Sequence, residues 1–575
     1  MAVGTASSDP VFFDFDAGIG EDDLVAALAS RLEPQWGLQR ERERRHHLTY
    51  FDTFDWRLWN QGATLRWRRD PPELIWREVS GLLRHRLSLA DRREGVAGEP
   101  SAGSADEPAE LAAEAGVGGD DAGEQTPIHL EPAKPFLPSD LPPGPLRDDL
   151  EQAAWVRCLL PRVTVRRRRR LLRVLNDNQK TVVRLVLERR RAADPERPRR
   201  SAEVAPVLRV VAVKGYDQHF QGVLGALREE PLLTPARGDE LTSALTALGR
   251  WPGDYSSKIQ LDLDPEERAD QALKGVLLSL LRAVEANEEG TRKALDPEFL
   301  HDFRVAVRRS RAALGQVKGV FPEPVVEHFK TELKWLGGAT GPKRDLDVYS
   351  MQLPDYREQL PAASGEALAP LRTYLDRHSA EEQERLEAVL TGDRYRNLLE
   401  EWRRFLEQPV PESTDLPNAQ RPLLEVASER IWKMWRRVFK RGRAIDEETP
   451  AEALHNLRID CKKLRYLLEF FRGLYAEDEV AKLVKSLKKL QDNLGDFNDL
   501  EVQQETLQSF AAGMEKEGLA TVETILAMGR LVERMAQGQE RERQRFEKRF
   551  RRFSAKSNRR RFRHLFKSES GEEAS

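Results

Sequence analysis

Cysteine is almost absent from this chain: 575 residues contain two, Cys158 and Cys461, far apart in sequence. That excludes a disulfide framework and a thiolate metal site, and it fits a reducing compartment. Long apolar runs are missing as well. No stretch approaches the ~20 apolar residues that cross a bilayer, and Met1 to Pro10 lacks the basic start and apolar core of a leader. The expectation is a soluble, cytoplasmic protein with no membrane partner. Neither charge sign dominates, since 93 Lys and Arg face 96 Asp and Glu for a net charge of −3. A protein that coats polyanions with its whole surface would be basic throughout, so an anion site here must be a local concentration of charge.

What is present is polar, helical and repeated. Hydrophobic residues make up 39% and charged residues 33%, as expected of amphipathic helices with solvated faces. At ~150 residues per domain the length allows two to four domains. Residues 11–90 read as strands and short helices: 11–16 has β composition, 22–32 is an amphipathic helix, and 63–68 alternates with period two. From Glu94 to Gln125 there are nine acidic residues and no Lys or Arg, which predicts a disordered acidic insert. Strand patterning resumes at 162–175, 181–190 and 207–214, followed by a helix from about Asp217. Trp251-Pro252-Gly253-Asp254 marks a linker, and from Asp264 to Phe566 almost everything has helical period. The fold class expected is multi-domain α+β. An antiparallel β domain spans 9–235 with its insert at 94–125, and a linker spans 236–263. An all-α domain spans 264–555, and a flexible tail, basic then acidic, spans 556–575.

The helical part contains one basic helix twice. His301-Asp302-Phe303-Arg304 through Arg308-Arg309-Ser310-Arg311 returns as His455-Asn456-Leu457-Arg458 through Lys462-Lys463-Leu464-Arg465, an offset of 455 − 301 = 154. Leu333-Lys334-Trp335-Leu336 with Gly341 and Asp345-Leu346-Asp347 returns at the same offset as Leu487-Lys488-Lys489-Leu490 with Gly495 and Asp499-Leu500-Glu501. A duplicated unit predicts two halves, about 264–400 and 418–555, facing each other across a pseudo-twofold axis. Asp296-Pro297 and Thr449-Pro450 each place a capping oxygen before a proline at a helix start.

His301, Arg304, Arg308 and Arg311 stand at offsets 0, 3, 7 and 10. At ~100° per residue they fall within about 80° of arc, and His455, Arg458, Lys462 and Arg465 repeat the pattern. The apolar stripe (Leu300, Phe303, Val307, Leu314; Leu454, Leu457, Cys461, Leu464, Leu468) lies one residue earlier, so the basic row adjoins the buried seam. Cations in such a row repel and are poorly solvated, and a polyanion relieves both problems. A solvated bundle face is the plainer reading of one charge run. Two matched copies, each headed by a histidine and each followed by a lysine helix (Lys330 and Lys334; Lys482, Lys485 and Lys488), favour a site. No Cys, second His or Glu stands at ligand spacing from either histidine, so neither a metal nor a cofactor is expected, and an imidazole donating to phosphate fits better. The acidic pairs Asp345/Asp347 and Asp499/Glu501 follow glycines and read as helix N-terminal charges, with orientation of the arginines or Mg²⁺ binding as the lesser alternatives.

These motifs, in order and spacing over about 264–555, resemble the CHAD family, the conserved-histidine α-helical domain. The resemblance implies two pseudo-symmetric helical bundles whose basic residues converge on a channel for inorganic polyphosphate, and localisation to polyphosphate granules. The residues carried over are His301, Arg304, Arg308, Arg311, Lys330, Lys334, Arg344, His455, Arg458, Lys462, Arg465, Lys485 and Lys488, joined by Arg309 and Lys463, which point about 80° away from the row.

The stretch from Thr49 to Arg68, Thr-Tyr-Phe-Asp-Thr-Phe-Asp-Trp followed by Gly62-Ala63-Thr64-Leu65-Arg66-Trp67-Arg68, resembles the CYTH family of triphosphate tunnel enzymes over roughly 9–235. That implies a closed antiparallel β-barrel lined by Arg and Lys, with Mg²⁺ or Mn²⁺ on glutamates. The family's first strand carries Glu-x-Glu-x-Lys, whereas this one reads Phe12-Phe13-Asp14-Phe15-Asp16-Ala17-Gly18. The late strand reads Val210-Val211-Ala212-Val213-Lys214 where two carboxylates are expected. Phosphoryl transfer leans on metals to neutralise charge, so the barrel is expected to be catalytically degenerate, with Arg66, Arg68, Arg166, Arg168 and Lys214 a vestigial anion site.

The expected function is non-enzymatic polyphosphate binding at granules, with other granule proteins as further partners. The alternative is a metal-dependent triphosphatase or polyphosphatase with the barrel as catalyst and the helical domain as anchor. Nucleic-acid binding through the basic faces and the tail ranks last and is not expected, because few aromatics interleave with the paired motifs. The segment 541–567 mixes Arg and Lys with five phenylalanines and reads as a last bundle helix running into a flexible basic arm that favours polyanions, with a basic amphipathic helix for nucleic acid or a membrane surface as the lesser alternative.

Overall fold

The computed structural model describes residues 10–33, 35–69, 72–78, 83–88, 134–236, 238–256, 262–446 and 448–567. The predicted acidic insert at 94–125 lies outside them. The chain forms two compact units, divided between Ser256 and Ser257.

The first unit is built on strands β1 (Val11–Asp14), β2 (Gly37–Asp52), β3 (Ala63–Arg69), β4 (Pro72–Glu78), β5 (Leu83–Ser88), β6 (Leu160–Leu175), β7 (Thr181–Ala193), β8 (Ser201–Ala212) and β9 (Thr234–Pro235). Its helices are α1 (Glu21–Leu32), α2 (Arg57–Asn60), α3 (Pro145–Ala154), α4 (Asp217–Arg228) and α5 (Glu240–Ala247). The strands form one antiparallel sheet in the order β5-β4-β3-β2-β6-β7-β8-β1-β9. Among the described residues no ladder joins the end strands β5 and β9.

Period-two alternation assigns the two faces of this sheet. Phe13, Leu172, Val174, Leu185, Leu187, Leu208 and Val210 pack under α1 and α4. On the opposite face Tyr50, Val163, Val165, Ala192 and Val204 pack against Leu241, Ala244 and Leu245 of α5. Part of the stretch expected to be linker is therefore a helix seated on the sheet, with Asp239 capping it by accepting from the Thr242 N–H at 3.0 Å.

The second unit is all helical among its described residues: α6 (Ala269–Arg292), α7 (Pro297–Gln316), α8 (Glu323–Ala339), α9 (Gly341–Glu358), α10 (Ala362–Glu366), α11 (Ala369–Thr391), α12 (Asp393–Glu407), α13 (Leu423–Arg443), α14 (Ala451–Phe470), α15 (Glu477–Lys516), α16 (Val522–Phe553) and α17 (Lys556–Phe566). The 154-residue repeat reappears in the helix boundaries. α6 and α13 start at 269 and 423, α7 and α14 run 297–316 and 451–470, and α8 and α15 start at 323 and 477. The pseudo-twofold axis is visible in hydrogen bonds. Ala269 N donates to Arg421 O at 3.0 Å and Leu423 N to Glu267 O at 2.8 Å, two reciprocal bonds between equivalent positions.

The predicted apolar stripes of α7 and α14 are buried in full, from Leu300 and Phe303 to Leu464 and Leu468. Each large side chain so buried contributes about 1.5–3 kcal/mol, and truncating Phe303, which has no exposed surface, would cost about 3–5 kcal/mol.

The copies diverge at two predicted points. Asp296 caps α7, accepting from Glu298 N and Phe299 N. Thr449 does not cap α14, because its hydroxyl is committed to Asp446, accepting from that N–H and donating to that carboxylate. The chain breaks at Thr340 between α8 and α9, whereas α15 runs through Gly495 as one 40-residue helix. The expected flexible tail is also corrected. Phe562 and Phe566, four residues apart, are buried and hold 556–566 as α17 against α13.

Candidate functional site

The basic rows of α7 and α14 come from equivalent helices that pack on each other at the pseudo-twofold axis. Arg308 and Lys462 are symmetry mates, 154 residues apart. Burial pushes the Lys462 ammonium down, and Arg458, Arg308 and Arg465 push it further, with Asp499 opposing; it lies at about 8. One cation of the first copy therefore acts on the row of the second. Arg308 Nε donates to Tyr466 Oη at 2.9 Å, and Arg309 and Arg465 converge on the Glu469 carboxylate at 3.1 and 3.3 Å.

On the α7 side, Arg304 Nη1 donates to Gly337 O and to Thr340 Oγ1, both at 2.7 Å. It thereby satisfies carbonyl and hydroxyl groups where α8 ends. Burial lowers the Arg304 guanidinium from its usual range, Asp345 opposes this, and Arg308 and Arg344 reinforce it. A Cβ at Gly341 would sit 3.6 Å from Arg304 Nη1, so the break presents bare backbone to the arginine. Arg344 donates to Pro297 O at 2.9 Å and lies 3.6 Å from Glu298. Arg311 is exposed at the end of the row and His301 is half-buried at its head.

On the α14 side, Arg458 Nη2 bonds Asp499 at 2.8 Å, while its buried Nε has no hydrogen-bond partner. His455 Nδ1 hydrogen-bonds Asn498 Oδ1, the counterpart of Arg344. An amide oxygen requires Nδ1–H, so the Nε2 edge can donate to an anion only as imidazolium. The acidic pairs are not helix N-terminal charges. Asp499 lies deep inside α15 and pairs with Arg458, and Asp347 is the fourth residue on from Lys343 and pairs with it. They orient cations, which was the lesser of the sequence alternatives.

The remaining expected residues sit apart from this convergence. Lys330 pairs with Glu327, Lys334, Lys485 and Lys488 are exposed, and Lys463 is half-buried. Tyr466 and Glu469 were missed. They replace Ala312 and Gly315 of the first copy, so nothing in the repeat marks them.

The first unit carries a second basic surface, on the face opposite α1 and α4. Register sets Arg66 and Arg68 there with Arg167, Arg169, Arg190 and Arg209. Arg166 and Arg168 are exposed on the other face, and Lys214 is exposed beyond β8. The expectation chose the wrong half of a five-arginine run. Val210 likewise belongs to the helix-covered core, so β8 offers Val207 and Arg209 to the basic face instead.

Burial alone would raise the Glu188 carboxyl, but Arg169, Arg167, Arg209 and Arg190 outweigh it and hold it near 2. Burial, then Arg169, Arg167 and Arg68, lower His46 to about 4. Glu73 pairs with Arg68 at 2.7 Å, and Glu240, the first residue of α5, accepts from Arg167 Nε at 2.6 Å. The face already holds its counter-charges. Among the described residues no group of three or more His, Cys, Asp or Glu is placed to hold a metal ion.

No curated protein matches the chain. Among solved structures, the CHAD domain from the plant Ricinus communis aligns over 51% of this chain and 95% of its own, with 25% identity and a TM-score of 0.43. PptA from Streptomyces chartreusis aligns over 50% of this chain and 100% of its own, with 16% identity and a TM-score of 0.38. The antiparallel sheet of the first unit is consistent with a tunnel of the CYTH kind, although no model of that family matches it. The CHAD domain family model matches residues 275–508, which span both basic helices α7 and α14, and this chain therefore carries a CHAD domain.

Proposed function

We propose that the protein binds inorganic polyphosphate between the basic rows of α7 and α14 and resides with it at polyphosphate granules, without turning it over. The observation that carries this reading is Lys462, whose charge is opposed by Arg458, Arg465 and the opposite copy's Arg308. Cations forced together across a symmetry axis call for an anion that touches both sides, and a chain of phosphates does so with one molecule. Arg308→Glu and Lys462→Glu, measured separately in the full chain, each weaken long-chain polyphosphate binding by about 1.5–3 kcal/mol, the range of a charge-assisted hydrogen bond. Equal affinity in either variant, still helical by circular dichroism, would refute the two-sided site.

The first unit is proposed to be non-catalytic. Its arginines are matched by Glu73, Glu188 and Glu240, and its carboxylates do not gather at a metal-binding spacing. Tripolyphosphate incubated with the protein and Mg²⁺ or Mn²⁺ releases no phosphate above background. Turnover that disappears in Arg66→Ala or Arg167→Ala would replace this reading with that of a triphosphatase.

A further inference from the structure

Among the acid-free stretches of this nearly neutral chain, two are densely basic and helical: 431–443 holds six Lys and Arg in 13 residues, and 548–567 holds ten in 20. The first is the end of α13 and the second closes α16 and forms α17, which lies beyond the residues matched by the family model. The fold brings them together. Trp435 of α13 stacks on Phe562 of α17 with ring centroids 5.2 Å apart, and Gly442 admits the Phe550 ring where any Cβ would stand 2.1 Å from it.

The spacing then decides what faces outward. On α13 one exposed row is Lys433, Arg436, Arg437, Lys440 and Arg443, with Arg441 also exposed at its edge, and on α17 the exposed row is Lys556, Arg559, Arg560 and Arg563. Both sets follow the i, i+3, i+4, i+7 pattern of a single helix face. The two faces are continuous, because Arg443 and Arg559 lie over the same Phe439 ring at 5.7 and 5.8 Å. The acid-bonded cations of these helices, Arg441 on Asp460 and Arg561 on Glu479, belong to neither row.

We propose that this two-helix ridge binds double-stranded nucleic acid through its phosphate backbone, without sequence preference. The α13 row covers ten residue steps, about 15 Å of helix, and packed helices place the second row about 8–10 Å beside it. A duplex carries one charge per ~1.7 Å of axis, about nine over 15 Å, and the ridge presents its cations on two packed helices. Trp435, Phe562 and Phe566 are turned into the core, and the half-buried Phe439 lies under Arg443 and Arg559, so the outward surface is charged and its rings are not open platforms for an unpaired base or an apolar face for a membrane.

The test uses the full chain, a fluorescent DNA duplex of about 30 base pairs, its single strand, and long-chain polyphosphate, titrated at several salt concentrations. The parent binds duplexes of unrelated sequence equally and with a steep salt slope. Arg436→Gln with Arg437→Gln, and separately Arg560→Gln with Arg563→Gln, each lower that slope by about 1.8 and weaken duplex binding about tenfold. Polyphosphate affinity stays at the parent's value in both, while Arg308→Glu weakens polyphosphate and leaves the duplex bound. These side chains are exposed, and the two rows provide independent variants should one fold poorly. A parent that ignores the duplex at physiological salt overturns the proposal, as do variants that bind it like the parent. Loss of polyphosphate in step with the duplex also overturns it, because the ridge is then a polyphosphate surface.

Discussion

Lys462 gives the helical site a pH dependence that can be worked from its surroundings. Its ammonium lies at about 8 instead of 10.5, because burial and the neighbouring Arg458, Arg308 and Arg465 disfavour its charge. A polyanion laid across the rows reverses the sign of that local field and raises the pKa, so binding above pH 8 takes up a proton. Affinity is then full below pH 8 and falls as pH rises, by up to tenfold per pH unit for one linked proton. Returning the ammonium to its ordinary range on binding corresponds to a few kcal/mol if expressed in full. Lys462 is partly solvated, and screening reduces this to about 1–2 kcal/mol, a five- to thirtyfold loss between pH 7 and 10. Isothermal titration in buffers of different ionisation enthalpy counts the proton directly. Lys462→Arg keeps the charge to high pH and should abolish both the uptake and the loss of affinity. A flat profile in the parent, or the same slope in Lys462→Arg, would sink the argument that Lys462 faces the bound anion.

Arg304→Ala should lower thermal stability by about 1–2 kcal/mol even without ligand, because it removes two hydrogen bonds at the α8 end, to Gly337 O and Thr340 Oγ1; an unchanged melting temperature would show that water replaces it at no cost. Glu188 contributes stability that is complete above its unfolded pKa near 4.5 and is lost as pH falls from there toward its folded value of about 2. Glu188→Gln should therefore flatten the acid limb of a pH–stability profile. It should also cost about 3–5 kcal/mol at neutral pH by leaving buried arginines uncompensated, and a profile parallel to the parent's would disprove this.

Much of the helical unit was legible because duplication writes the same constraint twice. The 154-residue offset predicted the paired helices, and the stripe of Leu300, Phe303 and Val307 predicted which edge of α7 is buried. What the repeat could not show is where the copies differ. Gly341 starts a helix and Gly495 sits inside one, since a glycine permits a break without requiring it. Tyr466 and Glu469 have no counterpart in the first copy, and an interface contact between helices far apart in sequence has no local signature. The β6 error has a different cause. Arg166 to Arg170 offers no apolar alternation to fix the register, and a shift of one residue exchanges the faces. Val163 and Val165, buried on the same face as Arg167 and Arg169, carried the missing signal.

The divergence between the copies fits a site whose own cations oppose one another. Both row positions at the axis remained basic, Arg308 facing Lys462, although that pairing costs folding energy. What changed is the support behind them. In the first copy Arg304 is held by the backbone at the α8–α9 break. In the second, α15 runs unbroken and offers no free carbonyl there, and the equivalent Arg458 leans on Asp499 instead. Glu469 then appears beside the axis and binds one arginine from each copy. Two different scaffolds thus hold the same cationic rows in place. Retaining the charge while exchanging its supports is the outcome expected when the charge serves a ligand, since stability alone would favour replacing Arg308 or Lys462 with an apolar residue.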